Sequence, residues 1–266
     1  MNDNISEISR SVKQISFFIY KYFSNLFKKN FNRNNSLKTI FKSKKELKKY
    51  LHEPEVIGLV DDLREKRKIF RKQVDSGTSI WDSYRWGAIS YKDCRGMYSL
   101  VRKLKPEILV ETGVCNGIST AFILLAMNKN KKGKLVSIDY PQIAGTNYEN
   151  GAFWEGKGGA MIPEGHQPGW VIPQHLRDRW TLIVGKSQDK LPPLLSELKE
   201  IDFFLHDSDH SYECMMFEYE TVFGALKNKG ILVSDDIVWN NSFDDFCKKT
   251  KRKEYYVGPN VGFLFK

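Results

Sequence analysis

Cysteine pairs, long apolar runs and a dinucleotide-type glycine signature are all missing from this chain. Its four cysteines, Cys94, Cys115, Cys214 and Cys247, form no C-x-x-C pair. That argues against a zinc ribbon or a disulfide scaffold and favours a reducing, cytoplasmic setting. No apolar stretch reaches the roughly 18 residues needed to span a bilayer, and no small-residue cleavage site follows the first apolar patch, so no secretory signal is expected. The signature G-x-G-x-x-G fails because, counting from Gly113, Cys115 stands at the second glycine position and Ile118 at the third. Such a turn suits a ligand without a pyrophosphate better than one with it.

Acidic charge is scarce at the front. Residues 1–50 hold twelve Lys/Arg against Asp3, Glu7 and Glu46, which places about nine of the ten net positive charges there. The rest of the chain is near neutral, so no nucleic acid footprint is expected on it. Ile8, Val12, Ile15, Ile19, Tyr22 and Leu26 recur at intervals of four and three, a helical stripe, and Lys38 to Lys49 is rich in lysine. Two readings stay open for residues 8–49: peripheral contact with an anionic membrane on its inner face, or packing on the protein or on a second subunit of a homo-oligomer. The expected organisation is a basic, amphipathic and partly disordered extension over 1–50, a helical cap region over 51–105 and a ligand-binding α/β domain over 106–266.

The α/β domain is organised around Glu107–Thr120. Ile108, Leu109 and Val110 read as a buried strand, Glu111 stands at its end, and Gly113 and Gly117 bracket a turn into a helix from Ile118. A strand feeding a helix through such a turn brings backbone amides and a helix N-terminus to one point, where a ligand can approach. Lys134–Asp139 is a second strand ending in a carboxylate, at the spacing that suits an acid gripping ribose hydroxyls. Strands are expected near 107–112, 134–138, 181–185, 201–206 and 230–234. Helices are expected at 55–74, 91–104, 117–128, 189–199 and 212–227. Tyr255–Phe265 reads as two short strands across a Gly-Pro-Asn turn. Tyr140–Trp180 is too long for an ordinary connection and reads as a lid or a surface excursion. The aromatic run Trp81–Trp86 either lines the ligand site or packs in the core.

The chemistry is most legible in Ile201–Glu213 and Gly230–Asn240. Asp207 and His210 leave the carboxyl end of one strand, and Asp235 and Asp236 leave the end of the next. Adjacent strands lie about 4.8 Å apart, so these acids can converge. Three close carboxylates repel one another unless a proton or a cation intervenes. Oxygen donors of this kind suit a hard divalent ion such as Mg²⁺, with Mn²⁺ or Ca²⁺ also open. Such an ion lowers the pKa of a bound hydroxyl, and His210 is placed to take the proton as a general base, with Asp207 beside it. Asp209 reads as a turn residue or helix cap.

Glu-Thr-Gly-Val-Cys-Asn-Gly117 followed by Ser-Ile-Asp139 resembles the first two motifs of the class I S-adenosylmethionine (SAM) methyltransferases. That resemblance implies a Rossmann-like, seven-stranded and mostly parallel sheet closed by an antiparallel hairpin. It also implies SAM as cofactor, with Glu111 and the turn of Gly113, Asn116, Gly117 and Ser119 at its methionine end. Asp139 would hold its ribose and Ser187, in Gly185-Lys-Ser187, its adenine side, with Asp207 also beside the cofactor. Asp207, His210 and Ser-Asp-Asp-Ile-Val-Trp-Asn240 resemble the cation-dependent O-methyltransferases, which implies a metal, Mg²⁺ first, on Asp207, Asp235 and Asp236, except that Asp236 stands where that branch has Asn and His210 where it commonly has Lys. His-Asp-Ser-Asp-His-Ser-Tyr-Glu213 is similar to bacterial methyltransferases acting on sugars and secondary metabolites. The activity implied is methyl transfer to a hydroxyl of a small molecule or sugar.

Two other classes compete with this reading. A catalytically silent SAM-fold scaffold would keep the fold without turnover. A metal phosphohydrolase would use His206-Asp207, but it needs further histidine ligands, and His52, His166 and His175 have no matching context.

Overall fold

The computed structural model describes residues 36–74, 85–87, 89–148 and 159–266. The stripe Ile8–Leu26, the aromatics Trp81 and Tyr84, and Phe153 and Trp154 lie outside the described residues.

Strands that are buried on both faces need apolar side chains on both sides of the pleat, and the central strands have them. Leu109, Phe203, Leu205, Ile231 and Val233 face one core, while Val110, Phe204 and Leu232 face the other. The strands are β1 (Ile108–Thr112), β2 (Lys134–Asp139), β3 (Trp180–Val184), β4 (Ile201–His206), β5 (Leu226–Ser234), β6 (Tyr255–Tyr256) and β7 (Gly262–Phe265). Among the described residues they form one seven-stranded sheet in the order β3-β2-β1-β4-β5-β7-β6. All pairings are parallel except those of β7, which runs antiparallel to both β5 and β6. The expected α/β architecture, with its closing hairpin, is therefore present.

Helices cover both faces: α1 (Leu37–Ile40), α2 (Lys44–Leu51), α3 (Pro54–Gln73), α4 (Tyr91–Leu104), α5 (Ile118–Asn130), α6 (Ser187–Leu198), α7 (Tyr212–Ala225) and α8 (Ser242–Thr250). In α4 the buried Cys94, Met97, Tyr98 and Val101 recur at helical spacing. Its start is fixed by Ser90, whose Oγ accepts from the Asp93 amide at 3.1 Å. By contrast α5 is buried all round from Ile118 to Met127, because α3 and α4 pack over it from outside. Helical periodicity runs on to 227, yet α7 stops at Ala225, since Leu226 turns extended and pairs with Ile201.

The expected extension folds from residue 36 onward. Leu37 and Phe41 are buried in the main core, and Lys103 reaches Glu46 of α2 at 2.6 Å. Glu53, ahead of α3, accepts from the Tyr98 hydroxyl and pairs with Arg102 at 3.1 Å. What the sequence marks as a boundary at residue 50 is thus continuous packing. Among the described residues no helix is long and apolar enough to cross a membrane.

A buried leucine replaced by alanine costs about 2–5 kcal/mol, so Leu37→Ala is expected to lower the denaturation midpoint by a corresponding amount. A midpoint equal to that of the parent would detach this segment from the core.

Candidate active site

Three parallel strands end in acids, and the turn after β1 touches two of those ends. Gly113 follows β1 with φ of 86°, and a Cβ placed on it would lie 1.9 Å from the Asp207 carbonyl oxygen after β4. On its other side the Val114 amide donates to Asp139 Oδ1 of β2 at 2.9 Å, with the Cys115 amide at 3.4 Å. Gly117 has φ of 95°, and its missing Cβ is the space taken by Gly169 and Ile172. Both glycines therefore admit protein backbone and side chain, a role that spacing alone does not separate from ligand approach.

The long connection after β2 is tied to this turn. The Gly169 amide donates to the Cys115 carbonyl at 2.8 Å and the Val171 amide to the Asn116 carbonyl at 3.2 Å. Asn116 holds the cap region and the connection together: its Nδ2 donates to the Trp86 and Met161 carbonyls, and its Oδ1 accepts from Trp170 Nε1 at 2.5 Å. The His166 ring packs at a tilt against Trp170, with centroids 4.4 Å apart. The described part of residues 140–180 is packed onto the turn, not a free excursion.

Several side chains expected at a cofactor face inward. Glu111 is fully buried and accepts from the hydroxyls of Ser119 at 3.0 Å, Thr120 at 2.9 Å and Ser137 at 2.7 Å. It braces β1, the start of α5 and β2, and Ser119 is its donor. Burial pushes its carboxyl up to about 7, against the pull of Ser137, Thr120 and Ser119. Ser187 points its hydroxyl toward Cys214 Sγ, 3.9 Å away, and Glu218. Asn116 is engaged as described above.

Asp139 differs from these. It is buried, its Oδ2 has no hydrogen-bond partner, and burial raises its carboxyl to about 6 despite the Val114 and Cys115 amides. A buried acceptor left open beside a turn of backbone amides is what a ribose diol would satisfy.

At the ends of β4 and β5, ligand atoms of Asp207, His210 and Asp235 lie within 4.8 Å of one another. Burial, then Asp235 and Asp236, raises the Asp207 carboxyl well above the usual range; burial, then Asp236, does the same for Asp235. Asp236, expected as a third metal ligand, stands on the other side of His210, with Oδ2 3.9 Å from Nδ1. His210 Nε2 lies 3.9 Å from Asp207 Oδ1 and has no hydrogen-bond partner. Burial lowers its pKa, with Asp236 opposing. Trp239 stacks on the His210 ring at 6.3 Å, and Asn240 Nδ2 donates to the His210 carbonyl at 2.9 Å. Asp209 is exposed and accepts from the Ser211 amide at 2.8 Å, making the turn ahead of α7, while Ser211 caps the helix.

His206 is a core histidine, held by Glu218 at 2.6 Å. Glu218 was not singled out from the sequence, although a signal is there. Cys214, Met215, Glu218, Tyr219 and Val222 are the buried face of α7, which sets an acid among apolar residues at helical spacing. The additional histidines that a phosphohydrolase would need are elsewhere, His52 at the end of α2 and His166 on Trp170.

This strand order, with a reversed penultimate strand, is consistent with the Rossmann-like methyltransferase fold. Residues 110–237, from β1 to just beyond β5, match the family model described as a methyltransferase domain. The chain is similar to the SAH-bound Podospora anserina methyltransferase PaMTH1, at 16% identity over 77% of this chain and 88% of that one, with a TM-score of 0.51. It also aligns with the O-methyltransferase NovP at 17% identity over 67% of this chain and 81% of that one, TM-score 0.48. With TomG from Streptomyces achromogenes, solved with SAM, the figures are 14%, 67% and 80%, TM-score 0.46. No curated protein matches the chain.

The raised acids set a pH dependence. An acid whose folded pKa exceeds its unfolded value adds stability that is complete below the unfolded pKa and disappears as pH rises through the folded one. For Glu111 that window runs from 4.5 to about 7, and its contribution is on the order of 3 kcal/mol. The ligand-free protein is expected to show a lower denaturation midpoint at about pH 8 than at about pH 5, with a shallower slope in Glu111→Gln. Identical slopes in the two proteins would remove Glu111 as a titrating group.

Proposed function

We propose that the chain is a SAM-dependent O-methyltransferase that acts on a hydroxyl of a small molecule or sugar with the help of a divalent cation. The observation that carries this is one turn, Gly113–Gly117, in contact with Asp139 on one side and with the Asp207 end of β4 on the other. A donor gripped at Asp139 is thereby set beside a cluster of acids and an imidazole.

The geometry supports the following roles. Asp139 Oδ2 accepts ribose hydroxyls. Tyr140, next in the chain and 40% exposed with Lys186 Nζ 5.7 Å from its ring centroid, offers a flat face to the base. Glu111, Ser119 and Asn116 hold the turn in shape, and the turn backbone of Gly113 and Gly117 presents the methionine end. Asp207 and Asp235 supply the oxygens for the cation, and Mg²⁺ fits two carboxylates with its remaining positions left to water and substrate. When bound, the cation supplies charge that lowers the pKa of the acceptor hydroxyl. His210 is kept neutral by burial, so its open Nε2 is ready to receive the hydroxyl proton near neutral pH, and Asp236 steadies the imidazolium that results. The hydroxyl oxygen then bonds to the methyl carbon as the carbon–sulfur bond breaks, and its electron pair stays on sulfur. What the chain contributes is alignment of oxygen, methyl and sulfur.

Two measurements test this. SAM titrated by calorimetry should bind the parent and bind Asp139→Asn about tenfold or more weakly, the loss expected for a charged acceptor. Parent affinity should fall as pH drops through about 6, where Asp139 takes up a proton, and the variant should lack this dependence. A parent that ignores SAM would end the methyltransferase reading.

The second measurement follows SAH release across a panel of sugar and phenolic hydroxyls, with Mg²⁺ or with EDTA. Release is expected with Mg²⁺, suppressed by EDTA, and absent in Asp235→Ala although that variant still binds SAM. SAM binding without SAH release on any acceptor would instead favour the scaffold.

A further inference from the structure

Beneath the acid cluster, Glu218 is a fully buried carboxylate that the proposed chemistry leaves unused. Burial would raise its pKa, but His206 and the hydroxyls of Ser187 and Thr112 outweigh it and hold the group ionised. An ionised carboxylate only accepts, and donors reach it from three directions. Thr112 Oγ1 at the end of β1 donates at 2.5 Å, His206 Nδ1 at the end of β4 at 2.6 Å, and Ser208 Oγ in the following loop at 2.7 Å. Asp207 lies between two of these anchors. Its own amide donates to the Thr112 carbonyl at 2.8 Å, and the Asp235 amide donates to the His206 carbonyl at 2.9 Å.

We infer that Glu218 is a positioning residue, a clamp on both neighbours of Asp207 that keeps the Asp207 and Asp235 carboxylates close. The clamp matters because those two acids repel each other once both are ionised, and a loop with no restraint relieves that repulsion by opening. Residues 206 and 208 are both fixed to one carboxylate, so the backbone that carries Asp207 cannot move outward without breaking bonds to a buried charge, which costs more than breaking neutral ones. His206 transmits the same restraint sideways, its ring standing edge-on to His210 at 5.3 Å. Partners outside the ligand set that orient it typically change metal affinity 10–100-fold when removed. The inference rests on the cation reading above.

The test uses the full chain and Mn²⁺ alone, followed by the electron paramagnetic resonance signal of the free ion, with SAM affinity measured in parallel. Glu218→Gln keeps the shape of the side chain but presents an amide to donors, and should lower Mn²⁺ affinity about tenfold while SAM binds as in the parent. Ser208→Ala removes a single anchor from a half-buried site, and should lower Mn²⁺ affinity by a smaller factor without threatening the fold. Thr221→Ala is the control. It removes a 2.6 Å hydrogen bond within the same helix, from the Thr221 hydroxyl to the Phe217 carbonyl, away from the clamp, and should leave Mn²⁺ affinity unchanged. Parent-like Mn²⁺ binding in folded Glu218→Gln and Ser208→Ala, or an equal loss in Thr221→Ala, overturns the clamp. Failure of the parent itself to bind Mn²⁺ overturns the cation reading, and the clamp's purpose with it.

Discussion

Burying carboxylates at one end of a sheet is the constraint on which the rest of this molecule depends. Glu111, Asp139, Asp207, Asp235 and Glu218 crowd the carboxyl ends of four neighbouring strands and the helix behind them, and each has to be compensated. The compensation is uneven. Glu111 has three hydroxyl donors, and Glu218 has the hydroxyls of Thr112, Ser187 and Ser208 and an imidazole. Asp139 has one satisfied oxygen and one open one, while Asp207 and Asp235 face each other with raised proton affinity. The satisfied acids build the scaffold, and the open ones are where ligands have something to gain. That division distinguishes frame from site more sharply than position at a strand end.

The turn between β1 and α5 carries this division into the rest of the fold. Its glycines let it press against the β4 loop on one side and against Gly169 and Ile172 on the other. Asn116 adds hydrogen bonds to the cap region and to the long connection after β2. Residues far apart in sequence therefore meet at one short stretch of backbone, and any ligand seated there touches elements from three parts of the chain.

Much of this was legible in the sequence. The apolar runs of β4 and β5, the helical spacing of α4 and the turn before the last strand are local patterns, and local patterns fix elements. Convergence of Asp207 with Asp235 followed from adjacent strand ends. What was not legible is the direction of individual polar side chains. Ser119, Asn116 and Ser187 occupy positions where a cofactor is expected, yet Ser119 bonds Glu111 of β1, Ser187 faces Cys214 and Glu218 of α7, and Asn116 reaches Trp170, 54 residues away. Nothing local specifies that choice. Asp236 likewise could not be separated from Asp235 by sequence, since its positive φ of 48° turns it to the other side of His210. The folding of residues 36–50 was hidden by their lysines, whose charge masked the few apolar residues that do the packing.

The contact between Ser36 and the closing hairpin has a wider consequence. Ser36 donates its amide to the Tyr256 carbonyl at 2.7 Å, and its Oγ accepts from the Tyr256 amide at 3.3 Å. β6 is the outermost strand on that side, and an uncovered border strand is a template for foreign β-segments. By occupying both groups of Tyr256, the chain seals its own margin against lateral accretion, a protection that trimming through residue 36 would remove.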